Sequence, residues 1–436
     1  MKRFANVLLC ASALSMLGTA AMAEKLTIAM VNNGDMIRMQ KLSDDFTAKN
    51  PDIELEWVTL EENILRQRVT TDIATKGGQY DVMTIGTYEV PIWGKQGWLV
   101  SLNDLPASYD IDDLLPAIRG GLTVDGELYA APFYGESSMV MYRTDLMKKA
   151  GMEMPDAPTW TFIREAAAAM TDKDAGIYGI CLRGKAGWGE NMAFLTATAN
   201  SFGAKWFDMD WKAQFDSPQW KEALTFYIEM MNESGPPGAA NNGFNENLSL
   251  FQTGKCGMWI DATVAASFVT NPTDSQVADK VGFALAPDNG LGKRGNWLWA
   301  WSLGIPAGTQ KAESAKKFVE WATSKEYLAL VAEKEGWANV PPGTRTSLYE
   351  NPEYAKVPFA KMTLDSINAA DPQNPTVDKV PYVGVQFVAI PEFQGIATAV
   401  GQQFSAALAG TTSIDDALSN AQALTTREMQ KAGYPK

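Results

Sequence analysis

Residues 126–160 read GELYAAPFYGESSMVMYRTDLMKKAGMEMPDAPTW, and the pattern in this stretch decides the fold class. The apolar run Leu128 to Phe133 and the run Met139 to Tyr142 are short and bounded by glycine and polar residues, which predicts two strands buried in a sheet with a helix after them. Between them stand Tyr134, Gly135, Glu136 and Ser137. A carboxylate at the end of a buried strand is costly unless water or a partner receives it, so this break is expected to open onto a surface or a cleft. A polar loop that merely joins two strands is the plainer alternative.

Outward from this stretch, strand and helix patterns alternate. Leu26 to Val31 reads as a strand, Met36 to Lys49 as an amphipathic helix, Ile53 to Leu60 as a strand, Ile64 to Thr75 as a helix and Tyr80 to Ile85 as a strand, a doubly wound α/β opening. Ligands in open α/β sheets sit beyond the carboxyl ends of strands, which directs attention to Asn32, Asn33 and Asp35 after the first strand and to Thr87, Tyr88 and Glu89 after the third. Asn33-Gly34-Asp35 equally suits a turn or helix cap. Further helices are expected at about Phe162 to Met170, Asn191 to Asn200, Trp220 to Met231, Asn247 to Gln252, Glu313 to Thr323, Glu326 to Glu335, Pro391 to Leu408 and Ile414 to Lys431.

Composition excludes several function classes. With 37 Lys and Arg against 51 Asp and Glu the chain carries −14, which argues against nucleic acid and anionic membrane surfaces. The 436 residues exceed what one core usually serves, so two lobes are expected. There is no histidine, hence no His general base, no Ser-His or Cys-His pair and no His-ligated zinc. No P-loop or dinucleotide-binding glycine motif opens a helix. No cofactor or metal is expected.

Lys2 and Arg3 precede an apolar segment from Phe4 to about Ala20, and Ala21-Met22-Ala23 is a small-x-small cleavage site. Residues 1–23 therefore read as a secretory signal peptide and place the mature chain, from Glu24, in the periplasm as a monomer. Cys10 lies within the apolar segment without the small residue that a lipoprotein signal puts beside its cysteine. Two cysteines remain, Cys181 and Cys256, each in a strand-like run. An oxidising compartment permits a disulfide between them if those strands are neighbours; two buried thiols are the other possibility.

The tryptophans carry the most information about a ligand. Trp297, Trp299 and Trp301 alternate in GNWLWAWSLGIP, so within a strand the three indoles project from one face. They form either a packing stripe or an aromatic wall on which the C–H faces of a sugar or polyol can lie. Other indoles sit beside polar groups: Trp188 precedes Glu190 and Asn191, Trp259 precedes Asp261, and Trp337 precedes Asn339 and Arg345. A hydroxyl both donates and accepts, so Glu136 and Asp261 could take its proton while Asn339 and Arg345 donate to its oxygen. Asp261 could instead cap a following helix, and Arg345 could form a surface ion pair.

The chain also resembles a known family. The Tyr129-Ala130-Ala131-Pro132 strand, Tyr142, Thr144-Asp145-Leu146, Gly151 and Pro158-Thr159-Trp160 are similar to the family 1 extracellular solute-binding proteins, sugar-binding subunits of ABC importers and relatives of maltose-binding protein. Phe251-Gln252-Thr253-Gly254-Lys255, Gly304-Ile305-Pro306, Phe46 with Pro51, and Tyr80-Asp81-Val82 extend the resemblance over nearly the whole mature chain. It implies an α/β fold of two lobes, each a mainly parallel sheet flanked by helices, with 24–133 and 303–345 in one lobe and 134–302 and 346–436 in the other. It also implies that Glu136 faces the cleft and that the loop Pro341 to Arg345 borders it, although the doubled Pro341-Pro342-Gly343 departs from the pattern. The branch most resembled takes linear sugar alcohols such as mannitol and sorbitol. The expected partners are then a small polyol or sugar and the permease subunits in the inner membrane. The rival reading is a secreted carbohydrate-active enzyme, a glycosidase using two carboxylates; nothing in the sequence singles out a second carboxylate paired with Glu136.

Overall fold

The computed structural model describes residues 23–435, so the signal segment, apart from Ala23, lies outside the described residues. The regular opening follows the hydrophobic pattern closely. Strand β1 (Glu24–Val31) is followed by α1 (Gly34–Leu42) and α2 (Asp44–Lys49), β2 (Ile53–Leu60), α3 (Glu62–Thr75) and β3 (Val82–Gly86). The expected single helix over Met36 to Lys49 is two helices. Ser43 separates them and turns its hydroxyl back onto the Gln40 carbonyl at 2.7 Å, the kind of local side-chain bond that ends helices.

A two-residue hairpin, β4 (Thr123–Val124) and β5 (Glu127–Leu128), precedes β6 (Ala130–Glu136) and β7 (Ser138–Arg143). Then come β8 (Tyr178–Cys181), β9 (Cys256–Ala262), β10 (Val281–Leu285) and β11 (Trp299–Gly304). The strands form two main sheets, ordered β2-β1-β3-β11-β6 in the first lobe and β10-β7-β9-β8 in the second. Both are mixed rather than mainly parallel. In the first, β1 pairs parallel with β2 and β3, but β11 runs antiparallel to both β3 and β6; in the second only β8 and β9 run parallel. The antiparallel pairings arise where the chain leaves one lobe and returns from the other.

The crossings also lie elsewhere than expected. Boundaries at 133/134 and 302/303 would cut β6 and β11, whereas Trp299 pairs with Glu136 and Ala300 with Gly135, so the first sheet continues to the edge of the cleft. Glu136 is the last residue of β6 and not part of a loop; Ser137 alone separates it from β7. The crossing strands are laced side by side. The Ser137 hydroxyl donates to the Trp297 carbonyl at 2.6 Å and receives the Asn296 amide at 3.2 Å. Helices 360–368, 393–408 and 414–431 pack with the second lobe, on β7 and β10 or on helices 191–201 and 218–234. No helix among the described residues is long and apolar enough to cross a membrane.

Candidate functional site

The carboxyl ends of β1, β6 and β8 and the start of α3 converge between the lobes. There they line two adjoining hollows of about 60 Å³ and about 30 Å³ of space open to the centre of a water molecule. Glu62, Glu136, Arg183 and Trp301 border both. Polar groups joining the lobes hold this cleft nearly shut: Lys185 meets Glu61 at 2.5 Å, Asn63 donates to the Ala186 carbonyl at 3.3 Å and Asn245 to the Asn32 carbonyl at 3.2 Å.

An arginine stacked on indoles forms the floor. Arg66, in the first turns of α3, is 4 % exposed, and its guanidinium carbon lies 4.0 Å from the centre of the Trp188 ring, 4.5 Å from Trp301 and 4.8 Å from Trp299. Such contacts reach about 2 kcal/mol each when desolvated. Its nitrogens donate to Glu62 at 2.8 Å and Glu89 at 3.0 Å. The indoles meet edge to face, Trp188 with Trp299 at 5.9 Å and Trp299 with Trp301 at 5.5 Å, the packing their quadrupoles favour. Trp299 also lies against Gly86, where a Cβ would stand 2.0 Å from the ring. Only glycine leaves that space.

The opposite wall carries a second buried arginine. Arg183, just after β8, holds the Asp261 carboxylate with two bonds of 2.9 and 2.6 Å and donates to the Gly189 carbonyl at 2.9 Å. Glu190 stands 3.4 Å from it. Cys181, two residues before Arg183, is joined to Cys256 on the neighbouring strand β9, with Cα atoms 6.0 Å apart.

Between these arginines lies Glu136. Burial pushes its carboxyl up to about 8; Arg183 opposes the shift, and the charges of Asp261 and Glu62 add to it. Glu190 is likewise raised to about 8 by burial and by Glu62, despite Arg183 and Lys185 nearby. Burial thus favours the neutral form of both carboxyls, which can donate a hydrogen bond as well as accept one. Tyr134, the other ionisable group on β6, has its hydroxyl bonded by the Asn33 amide at 2.8 Å.

Of the residues expected to meet a ligand, Asn33, Tyr134, Glu136, Trp188, Trp299 and Trp301 line the hollows, and Trp297 lines one with them. The others stand elsewhere for identifiable reasons. Asn33, not Asp35, caps α1, accepting from the Met36 N–H at 3.1 Å, while Asp35 is buried in an ion pair with Arg38 at 2.5 Å. The Tyr88 ring backs onto Trp188 at 4.7 Å and its hydroxyl donates to the Ile390 carbonyl at 3.0 Å. Asn191 is spent on backbone, receiving the Gly187 N–H and donating to the Gly401 carbonyl. Trp259 is fully buried among Phe244 and Phe251 and donates to Asp261, which caps no helix but ends in the bidentate pair with Arg183.

Trp337 and Asn339 form a short turn in which Asn339 accepts from Arg38 at 2.9 Å. Arg345 is neither at the cleft nor on the surface. It is wholly buried in the first lobe, over the Tyr109 ring at 4.7 Å, donating to the carbonyls of Asp110 and Thr323 at 3.1 Å and standing 3.5 Å from Asp113. The loop before it passes so near Gly135 that a Cβ there would stand 2.2 Å from the Gly343 oxygen.

Glu62, Arg66, Arg183 and Lys185 are among the cleft residues that were not anticipated. Glu62 and Arg66 sit four apart on a helix and read as an ordinary solvated pair. Arg183 and Lys185 could have been found, since they follow the strand Tyr178–Cys181 at its carboxyl end. Among the described residues there is no group of acidic, His or Cys side chains that could hold a metal ion.

Residues 33–329 match the family described as bacterial extracellular solute-binding protein, and the chain belongs to that family. It is 56% identical over 428 residues to the mannitol-binding protein of Pseudomonas aeruginosa, covering 98% of each chain. It is 74% identical to a solute-binding protein of an ABC transporter from Agrobacterium vitis S4 whose crystal structure contains bound D-mannitol. That likeness covers 95% of this chain and 100% of the other, with a TM-score of 0.94. A solute-binding protein from Agrobacterium radiobacter K84, in complex with ribitol, is 25% identical with a TM-score of 0.82 over 93% of this chain and 99% of the other.

Proposed function

We propose that this protein is the periplasmic substrate-binding subunit of an ABC importer, acting as a monomer. In this reading it captures an uncharged linear sugar alcohol, mannitol or a close relative, and presents it to the permease subunits. The observation that carries the reading is the cleft itself: an indole wall stacked on Arg66, with the buried carboxyls of Glu136 and Glu190 beside it. Apolar C–H groups of an extended polyol suit the rings, and its hydroxyls suit groups that both donate and accept. The mannitol bound by the 74% identical relative supports the same ligand class. The bodies that close on it are 24–136 with 299–345 and 138–297 with 346–435, and closure is selected by the ligand.

The rival reading, a glycosidase, needs one carboxylic acid and one ionised carboxylate flanking the bond; membership of the solute-binding family and the likeness to the mannitol-binding relatives support capture instead. A panel of D-mannitol, D-sorbitol, ribitol, hexoses and disaccharides, read by thermal shift and calorimetry, tests the proposal. A hexitol is expected to raise the melting temperature most, because a ligand bound only by the native state must stabilise it. A monosaccharide or disaccharide preferred over every alditol would refute the ligand class, and release of product from an oligosaccharide would refute the absence of catalysis.

A further inference from the structure

Resting on the capture of a polyol by this cleft, we propose that the same site takes a linear polyol carrying one protonated amine, an amino-alditol, with the ammonium group received by Glu136. The argument starts from how the cleft charges are paired. Arg66 is taken by Glu62 and Glu89, Arg183 by Asp261, and Lys185 by Glu61. Each cation already faces at least one carboxylate. Glu136 borders both hollows, is 6 % exposed and has no ion pair with any Lys or Arg of the described residues. Arg183 acts on it only from beyond ion-pair distance, and the Trp297 indole favours its ionised form.

A carboxyl so placed is held in low dielectric, with the charges of Asp261 and Glu62 favouring its neutral form and that of Arg183 opposing them. Around it stand Glu62 and Arg66 from α3, Arg183, Lys185 and Glu190 from the segment after β8, and Asp261 from β9. With an uncharged ligand it keeps a proton, since burial pushes it up to about 8. An ammonium group in the hollow supplies the positive charge that the proton otherwise provides, so Glu136 then stays ionised. Replacing one terminal hydroxyl of a hexitol by –NH3⁺ changes its volume little. The ligand therefore fits where the hexitol fits, and the new contact is a charge-assisted hydrogen bond, corresponding to roughly tenfold to a hundredfold in affinity.

Calorimetry on the mature protein with D-mannitol and 1-amino-1-deoxy-D-mannitol, at neutral pH and on Glu136→Gln, decides the matter. The amino-alditol is expected to bind the wild type at least as well as D-mannitol, and to fall about tenfold or more behind it in Glu136→Gln. If the wild type binds D-mannitol but takes the amine more than about tenfold more weakly, or if the ratio is the same in the variant, the inference is wrong while polyol capture stands. If neither ligand binds, the capture reading fails and this inference with it. Should Glu136→Gln not fold, the wild-type pH profile serves instead. Between pH about 7 and about 8.5 the affinity for the amine rises relative to that for D-mannitol, because its binding releases the Glu136 proton that the uncharged polyol leaves in place, and parallel profiles would overturn the proposal.

Discussion

Arg66 and Arg345 make an instructive pair. Both are cut off from solvent, both lie on aromatic rings and both hold carboxylates. They differ in who supplies the partners. Everything around Arg345, namely Tyr109, Asp110, Asp113 and Thr323, belongs to the first lobe, so its environment survives any movement between lobes. Arg66 rests on Trp299 and Trp301 of its own lobe but also on Trp188, which the second lobe brings. A buried arginine is therefore no mark of a binding site; one whose surroundings are assembled from two bodies is.

The comparison can be broken by substitution. Arg345→Ala should have the largest effect, a loss of about 3–5 kcal/mol in denaturant unfolding, because the Asp110 and Thr323 carbonyls lose their donor, the Tyr109 ring loses its stacked partner and a cavity is left. The surviving folded protein should bind polyol with unchanged affinity; a parallel loss of affinity would erase the distinction drawn above. Next, Cys181→Ser with Cys256→Ser opens a loop spanning 75 residues of sequence and should cost about 2–5 kcal/mol in thermal or urea melts. Since the bridge sits beside Arg183 it should also weaken binding, and a melt indifferent to reductant would count against it.

Glu136→Gln should shift stability by a few kcal/mol in a pH-dependent way. The native carboxyl is raised from 4.5 to about 8, so in that window the unfolded chain ionises while the folded one retains its proton. The stability contributed by neutral Glu136 is full below 4.5 and is lost as pH rises to about 8. The variant should therefore gain on the wild type across that interval and hold a constant difference above it. Flat difference curves from pH-resolved melts would show that the carboxyl is solvated. Smallest is Arg66→Lys, which keeps a charge for Glu62 and Glu89 but gives up the planar stack; polyol affinity should fall by about 1–2 kcal/mol with stability nearly intact. The same exchange at Arg345 should do the reverse.

How much of this could be read in advance depended on what each residue's neighbours in sequence revealed. Strand periodicity located β1, β2 and β9 closely, and the alternation of Trp297, Trp299 and Trp301 put all three rings on the cleft side. The strand-end rule reached Asn33 but equally marked Asp35 and Tyr88, which pack elsewhere, whereas Glu136 was marked by the cost of burying a carboxylate at a strand end. Arg66 was invisible: a Glu–Arg pair four apart on a helix looks the same in solvent as under three indoles. Trp259, Asp261, Asn339 and Arg345 showed the opposite error. Polar groups near tryptophan in sequence suggested a shared site, but tertiary packing turned Asp261 behind Arg183 and sent Arg345 into the first-lobe core.

The lack of histidine has a bearing on the raised carboxyls. In most proteins the interval between pH 5 and 8 is crowded with imidazole titrations that mask any other proton event. Here, apart from the terminal amine, that interval is left to buried acids, with Glu136 and Glu190 both placed near its upper end. Carbon-13 shifts of the side-chain carboxyls, or difference infrared bands near the protonated carbonyl stretch, would therefore report on the cleft against a nearly blank background. The molecule carries its own spectroscopic window onto whether the ligand chamber is dry.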